Sequence, residues 1–477
     1  MILALFMIVL AAGAALTLSD WRKGMLFLIV VGFLQDPMRK VFPGHPVHLQ
    51  VLVVAFLLLT FWSAFLRGRR FRLSLLCGGD RRLKQAWRWF ILLIVFQLLH
   101  TLIRYGNPVL AGLGLMTYLA PLAAIWFGVS YAHNEQQVRK IIHLYLALAI
   151  PAGLTIYLSY WFGDRSVLLQ SIGELTDRRL LISDVGRVLY SYSGILRVGE
   201  IAAWHAATAI MLLAILVSLD KRRTVRMLAA IVAALLIGAI ILTGRRKMLM
   251  TLAVFFATYS FLLVAYWNNA KKVGALLLLL GIGAAGYLQL QGDDQDRAHY
   301  VARGTTVFAD SGGRLALAFD LLRSAVTRGG VIGKGAGVSA QGSQYFGGGV
   351  KIVGGAAEAG MGKVVVELGL IGALVVVYLI WCVLEHFRAL FRSVPVRYGS
   401  AVIFLSGLTA VLVANIATFL VASQLYGDMF IVLMVGFMIS FLFAFERMTR
   451  QQQAFETYQR QRMIQRHDRE AYASSGH

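Results

Sequence analysis

Apolar stretches of about 18 or more residues recur along the whole 477-residue chain and are separated by shorter polar segments. A helix of that length crosses the roughly 30 Å hydrocarbon core of a bilayer. The pattern therefore predicts an all-α, polytopic integral membrane protein with about thirteen transmembrane helices. The predicted spans are 1–18, 24–36, 48–66, 89–104, 108–131, 141–162, 200–219, 227–243, 248–267, 273–290, 363–384, 399–422 and 428–446.

Composition agrees with a membrane protein, since 58% of the residues are hydrophobic and only 14% are charged. A soluble domain has about 25% charged residues. The net charge of +23 is typical of basic cytoplasmic loops that contact anionic lipid, so nucleic acid is not an expected partner. The only cysteines, Cys77 and Cys382, are both expected at the cytoplasmic side, which makes a disulfide or a cysteine metal site unexpected.

The basic loops set the orientation. Residues 67–88 carry eight arginines and lysines against one acid, Asp80, and this loop is expected in the cytoplasm. Counting spans from it places the other strongly basic connections, and the tail, on the same side. The resulting regions are N-terminal helices (1–162), a first external loop (163–199), central helices (200–290), a long glycine-rich external loop (291–362), C-terminal helices (363–446) and a basic cytoplasmic tail (447–477).

Within the long external loop, residues 314–327 have helical apolar spacing and follow the start signal Ser311-Gly312-Gly313. Glycines are then frequent from 329 to 362, which predicts a backbone able to approach a ligand closely or to move as a lid. The tail from 447 to 470 is polar and basic and is expected to form a helix near the inner leaflet.

The most informative segment is Gly244-Arg245-Arg246-Lys247, which joins two apolar spans on the external side. Positive residues at helix ends normally stay in the cytoplasm. Three cations at an external turn therefore indicate an error in the topology, cations that reach lipid headgroups, or a bound anion. The planar guanidinium of arginine matches phosphate oxygens, which favours an anion clamp.

Further candidates lie at the ends of the external loops. Arg197, Glu200 and His205 are spaced to share one helix face, although a buried histidine is more often a packing residue and Glu200 could pair with Arg197. Arg314 begins a predicted helix, where a cation opposes the helix dipole and suggests an external anion. Glu358 precedes the eleventh span, either as an acid that favours a helix start or as a carboxylate facing the arginines.

Lys363 and Glu367 are spaced i,i+4 at the start of that eleventh span, so we expect them to pair. The chain has no His-Glu-x-x-His motif, no cysteine ligand cluster and no nucleophile elbow. We therefore expect no metal and no cofactor.

Three short stretches form a further pattern: Ser193–Arg197, Thr243–Arg246, and the series from Ser311-Gly-Gly-Arg314 through Gly333-Lys-Gly335 to Glu367-Leu-Gly-Leu-Ile-Gly372. Together they resemble the bacterial O-antigen ligase and O-antigen polymerase superfamily of membrane glycosyltransferases. The last is similar to the Gly-x-x-Gly that ends the long periplasmic loop of the family. The ligase branch carries a histidine about ten residues before it, where this chain reads Ala357-Glu358-Ala359. The resemblance therefore favours the polymerase branch, or else a divergent ligase that uses Glu358 instead.

The resemblance implies a GT-C-like fold in the bacterial inner membrane and an inverting, metal-independent glycosyl transfer at the periplasmic face. The donor would be a glycan on undecaprenyl pyrophosphate, and the acceptor a hydroxyl of a second lipid-linked repeat unit. Arg197, Arg245, Arg246 and Lys247 would bind the pyrophosphate. Arg314 would neutralise departing charge, and Glu358, or else Glu200, would act on the acceptor.

The sequence leaves other functions open. A polysaccharide ligase would move the same lipid-linked glycan to a different acceptor. A transporter of lipid-linked oligosaccharides would also need cations for the pyrophosphate, although it would be expected to carry charged or broken helices near the midplane. A non-enzymatic assembly subunit is the third alternative, suggested by the basic tail. A chain-length regulator or other polysaccharide-assembly proteins are possible partners under each of these functions.

Overall fold

The computed structural model describes residues 2–172, 180–182, 188–267, 299–300, 303, 311–340, 343, 360–394, 399–421 and 423–474. Within these ranges the chain is almost entirely helical. The α-helices are α1 (Ile2–Ser19), α2 (Trp21–Val41), α3 (Leu52–Leu66), α4 (Arg81–Tyr105), α5 (Pro108–Tyr131), α6 (Glu135–Phe162), α7 (Gly199–Leu219), α8 (Arg223–Leu242), α9 (Lys247–Trp267), α10 (Ser311–Gly329), α11 (Gly360–Ser393), α12 (Gly399–Val421) and α13 (Met429–Ser474). Strands β1 (Leu180–Ile182) and β2 (Val188–Tyr190) form a small antiparallel hairpin.

Ten helices of the described chain are long and apolar enough to cross a membrane, and each overlaps a predicted span. The protein is thus an all-α, polytopic membrane protein. The first predicted span corresponds to a shorter apolar helix, Leu3–Ser19, and the second lies inside α2. The tenth prediction, 273–290, lies outside the described residues.

Short polar connections end one helix and cap the next. Gly106 takes a left-handed conformation (φ 61°) that ends α4, and the Asn107 side chain accepts hydrogen bonds from the first amides of α5. Asp80 and Asn134 cap α4 and α6 in the same way. These caps satisfy backbone groups that helix termini leave unpaired, and the chain reverses direction within two residues at 106–107 and within three at 132–134.

The helix directions define two ends of the bundle. Arg67, at the end of α3, donates to the carbonyls of Leu18 and Ser19, so α2 begins beside the basic loop 67–88. The 21-residue α2 then runs about 31 Å, and Lys40 in its last turn donates to the carbonyl of Gly194 at 2.6 Å. Segment 188–199 therefore lies at the end opposite the basic loop, and we call this end the distal end.

Two predictions about helices outside the spans are confirmed in part. Residues 311–329 form α10, which includes the predicted amphipathic stretch. Residues 447–470 are helical, but they continue the last span without a break as part of the 46-residue α13.

Candidate functional site at the distal end

The turn between α8 and α9 is built by Thr243 and Gly244. The Thr243 hydroxyl accepts from the amide of Arg245 at 3.2 Å, and Gly244 has a φ of 65°, a conformation that glycine adopts without strain. The amides of Met248 and Leu249 then donate to the carbonyls of Arg245 and Arg246, which starts α9 directly. This turn presents three successive half-buried cations, those of residues 245–247.

The turn packs against the first loop. The Ser191 hydroxyl donates to the carbonyl of Thr243 at 2.9 Å, and the Arg303 guanidinium donates to the carbonyl of Gly244 at 3.3 Å. The Tyr300 hydroxyl donates to the carbonyl of Tyr190 at 2.6 Å. Elements of both long loops therefore surround the turn, and the turn lies at the distal end, opposite the basic loop 67–88.

Arg197 is held between two carboxylates. Its guanidinium lies 3.3 Å from an Asp36 oxygen in α2 and 2.5 Å from an Asp428 oxygen just before α13. All three residues are buried, with exposed fractions of 5%, 1% and 3% respectively. In this conformation Arg197 ties the first loop to two helices that are far apart in sequence.

A second buried cation supports the same junction. The Lys40 ammonium donates to the carbonyls of Leu168 and Gly194, at 3.1 and 2.6 Å. Asp428 also caps α13, because its carboxylate accepts from the amide of Ile431 at 2.9 Å. The segment before α7 is thereby fixed to the protein interior at several points, which gives the neighbouring turn 243–246 a rigid support.

Glu200 and His205 occupy different environments. Glu200 is half-buried in the first turn of α7, and among the described residues its carboxylate has no polar partner. The pairing with Arg197 considered from sequence is therefore not made. His205 is buried, lies 2.8 Å from the Tyr145 hydroxyl, and packs against Phe33 and Phe430, as a packing histidine does.

Two of the sequence candidates fall outside the described part of this site. The backbone of Arg314 belongs to α10, but its side chain lies outside the described part of the chain. Glu358 also lies outside the described residues. The remaining candidates, Arg197, Glu200, Arg245, Arg246 and Lys247, all lie at the distal end.

The described part of the glycine-rich loop, 330–340, packs into a break in α11. Gly369 interrupts that helix with a φ of 74°. The amides of Leu370 and Ile371 then donate to carbonyls of residues 330 and 331, while the amides of 334 and 335 donate to carbonyls of α11. Gly337 has a φ of 91° and lies so close to α5 that a Cβ there would sit 2.0 Å from the Leu110 carbonyl oxygen. Glycine thus serves close packing here.

Glu367 lies in this packed region, and the expected pair with Lys363 is wrong. Its carboxylate instead accepts from the Tyr118 hydroxyl at 2.7 Å, and from the amide and hydroxyl of Ser339 at 2.8 and 2.7 Å. The loop returns into the bundle and brings donors to the carboxylate that were distant in sequence. Helical spacing alone could not reveal these donors.

An apolar cavity of about 290 Å³ opens beside Lys363. Its walls come from α4, α5, α11, α12 and α13, and most of the lining side chains are aliphatic or aromatic. Lys363 is only 6% exposed, and no hydrogen bond or ion pair joins its ammonium to the described residues.

Asp36 and Asp428 are not among the site residues predicted from the sequence. Both are acids at the ends of predicted spans, and ionisable residues in such positions are functional or structural candidates by default. Their position at the end of an apolar stretch is the sequence feature that could have identified them. Their common partner, Arg197, could not be read from the sequence because the three residues are more than 150 positions apart.

The chain matches no protein-family model and no curated protein. The assignment of a function therefore depends on the residues of the distal end.

Proposed function

We propose that this protein is a bacterial surface-polysaccharide polymerase of the inner membrane. It would join repeat units carried on undecaprenyl pyrophosphate by a metal-independent, inverting glycosyl transfer at the periplasmic face. The observation that supports this most is the Arg245-Arg246-Lys247 turn, which lies at the end of the bundle opposite the basic loop 67–88. Cations in such a place favour an external anionic substrate.

The proposed reaction mainly requires cations that stabilise the leaving pyrophosphate and side chains that position the acceptor. A pyrophosphate is already a fair leaving group, so the enzyme mainly stabilises the negative charge that develops as the glycosidic bond breaks. Arg245 and Arg246 would donate to the departing oxygens, with Lys247 beside them and Arg314 contributed by the long loop. Arg197 would support this group by fixing the first loop, because its guanidinium is already engaged by two carboxylates.

The acceptor hydroxyl needs a group that accepts its proton. Glu358 lies in the region where the ligase branch carries its histidine, and it is the first candidate. Glu200 is the second, and its half-buried carboxylate is without a polar partner among the described residues. A carboxylate in this state is free to accept a hydrogen bond from a sugar hydroxyl.

Arg245→Gln tests the assignment. The purified full-length protein is given lipid-linked repeat units alone, and the products are separated by chain length. Loss of one such donor lowers turnover by roughly 100-fold or more. Lys221→Gln, which removes an exposed cation between α7 and α8 at the opposite end, should leave the chain length unchanged.

Normal elongation by Arg245→Gln would overturn the proposal. The same assay separates the alternatives. Transfer of a glycan to an added acceptor without elongation identifies a ligase, and translocation of the lipid without a new glycosidic bond identifies a transporter. No reaction unless a second protein is added identifies an assembly subunit.

A further inference from the structure

The Lys363 side chain, which is 6% exposed, is the starting point. Lys363 lies three residues after the first residue of α11, close to the distal end, and it lines the apolar cavity. Glu367, one turn further along the helix, already has its oxygens engaged by Tyr118 and Ser339. Within the described chain the ammonium therefore has no carboxylate to balance it.

An unbalanced charge in this position is costly. A buried ion without a partner loses several kcal/mol of hydration, and ionisable residues within membrane spans mark substrate or ion pathways. The cation is stabilised when an anion binds beside it. Because the rest of the cavity is apolar, that anion has to belong to a molecule with a large hydrocarbon part.

The depth of the cavity restricts the hydrocarbon. Along α11 its lining includes residues from Met361 to Ile380, which are at most roughly 28 Å apart at 1.5 Å per residue, because α11 is interrupted at Gly369 between them. On α4 it reaches Trp87, six residues after the start of that helix at the basic-loop end. One leaflet of a bilayer accounts for only roughly 15 Å of hydrocarbon. The lining is therefore deeper than one leaflet, and the volume of about 290 Å³ holds a segment of a long apolar chain rather than the whole chain.

We propose that Lys363 and this cavity hold the lipid carrier of the substrate, a long-chain polyisoprenoid phosphate or diphosphate. The anionic head lies at the Lys363 ammonium, and the part of the isoprenoid chain next to the head lies between α4, α5, α11, α12 and α13. The inference deepens the proposed function and rests on it for the identity of the carrier. It adds a binding site for the isoprenoid chain of the carrier, and a cation that is separate from the Arg245-Arg246-Lys247 turn.

The Lys363 site lies at the same end of the bundle as the Arg245-Arg246-Lys247 turn. Helix α9 begins at Lys247, and its Thr251 hydroxyl lies 2.6 Å from the Thr418 hydroxyl of α12. The end of α12 contributes Phe419 and Leu420 to the cavity wall near Lys363. The adjoining ends of α9 and α12 thus lie between a head group at Lys363 and the Arg245-Arg246-Lys247 turn. A diphosphate that bears a sugar would extend from Lys363 towards that turn.

The direct test is binding of undecaprenyl phosphate to the purified full-length protein, measured by native mass spectrometry. Lys363→Met keeps the length of the side chain and removes its charge, so affinity should fall by about tenfold or more, since a hydrogen bond to a charged group contributes about 1.5–3 kcal/mol. Lys363→Arg should restore most of the affinity. Lys221→Met, at the opposite end, is the control. Equal affinity in the Lys363→Met and wild-type proteins would overturn the proposal.

Chain length provides a second measurement that does not depend on Lys363. Val435→Phe places a ring at the cavity wall contributed by α13. This variant should bind undecaprenyl phosphate more weakly than the wild-type protein does, but its affinity for a short prenyl phosphate should be unchanged. Phosphatidylglycerol should compete poorly with undecaprenyl phosphate in the wild-type protein. Competition at equal concentration would mean that the cavity takes membrane phospholipid, which contradicts the assignment.

The two proposals fail in different ways. If Lys363→Met loses affinity for the carrier but no variant or wild-type protein elongates a glycan, the carrier site stands and the polymerase assignment falls. If the wild-type protein elongates glycans and Lys363→Met binds and elongates equally well, the polymerase assignment stands and the carrier site falls.

Discussion

Arg197→Gln should destabilise the folded protein by about 3–5 kcal/mol, the usual cost of breaking a buried ion pair from one side. The guanidinium of Arg197 is the cation between Asp36 and Asp428, at 3.3 and 2.5 Å. Both carboxylates are almost completely buried. Without the arginine, two negative charges remain close together in a region of low dielectric constant, and each loses its main counterion.

The assay is denaturant-induced unfolding in detergent micelles, followed by tryptophan fluorescence. The informative comparison is the triple variant Arg197→Gln, Asp36→Asn, Asp428→Asn. Removing all three charges together leaves no unpaired carboxylate, and Lys40 keeps its carbonyl acceptors, so part of the lost stability should return. Asparagine at position 428 also retains the cap on α13, because asparagine is as good an N-cap as aspartate.

A different outcome would refute this reasoning. If Arg197→Gln unfolds at the wild-type denaturant concentration, the guanidinium does not stabilise the junction and a direct role in substrate binding becomes the better explanation. If the single variant is destabilised but neutral asparagines at 36 and 428 give no recovery, the loss comes from packing of the arginine side chain rather than from its charge.

Two further predictions concern the packed glycine-rich segment, and both are measured by the same unfolding assay. Gly337→Ala should destabilise the protein by about 2 kcal/mol or more, because a Cβ would meet an α5 carbonyl at a positive φ, whereas Gly112→Ala, which has open space around it, should be neutral or slightly stabilising. Equal effects of these two variants would contradict the close approach. Glu367→Ala should cost about 3 kcal/mol or more, because it leaves donors on Tyr118 and Ser339 unpaired, and Tyr118→Phe should cost less. An unaltered unfolding curve for Glu367→Ala would show that these hydrogen bonds do not hold the segment.

The sequence predicts the class of fold and most of its helices because apolar length is a local property. The amphipathic stretch within α10 and the helical tail follow from the same local patterns. The relative placement of the Gly244 turn and the basic loop also follows from counting spans, since each span reverses the side of the chain.

The side-chain partners could not be predicted, because they depend on tertiary contacts. Lys363 and Glu367 have ideal helical spacing, but a break at Gly369 and the inserted segment 330–340 give Glu367 other donors. Arg197 has Glu200 nearby in sequence, yet it pairs with acids from α2 and from the residue before α13. In each case a long-range contact replaces the local one.

The central claim is that the Arg245-Arg246-Lys247 turn faces the outside of the cell. Arg246→Cys tests it directly with a membrane-impermeant maleimide. The native thiols give little background: Cys77 and Cys382 are both buried, and burial raises the pKa of the Cys77 thiol to about 12. Thiolate at Cys77 therefore forms only as the pH approaches 12, and that residue stays unreactive at the labelling pH near 7.

Arg222→Cys is the matched control, because Arg222 is highly exposed in the connection between α7 and α8, at the opposite end of the bundle. In right-side-out vesicles we expect labelling of the half-buried position in the Arg246→Cys protein and none of the Arg222→Cys protein. In inverted vesicles the pattern should reverse. Labelling of the Arg246→Cys protein only in inverted vesicles would contradict an external phosphate site.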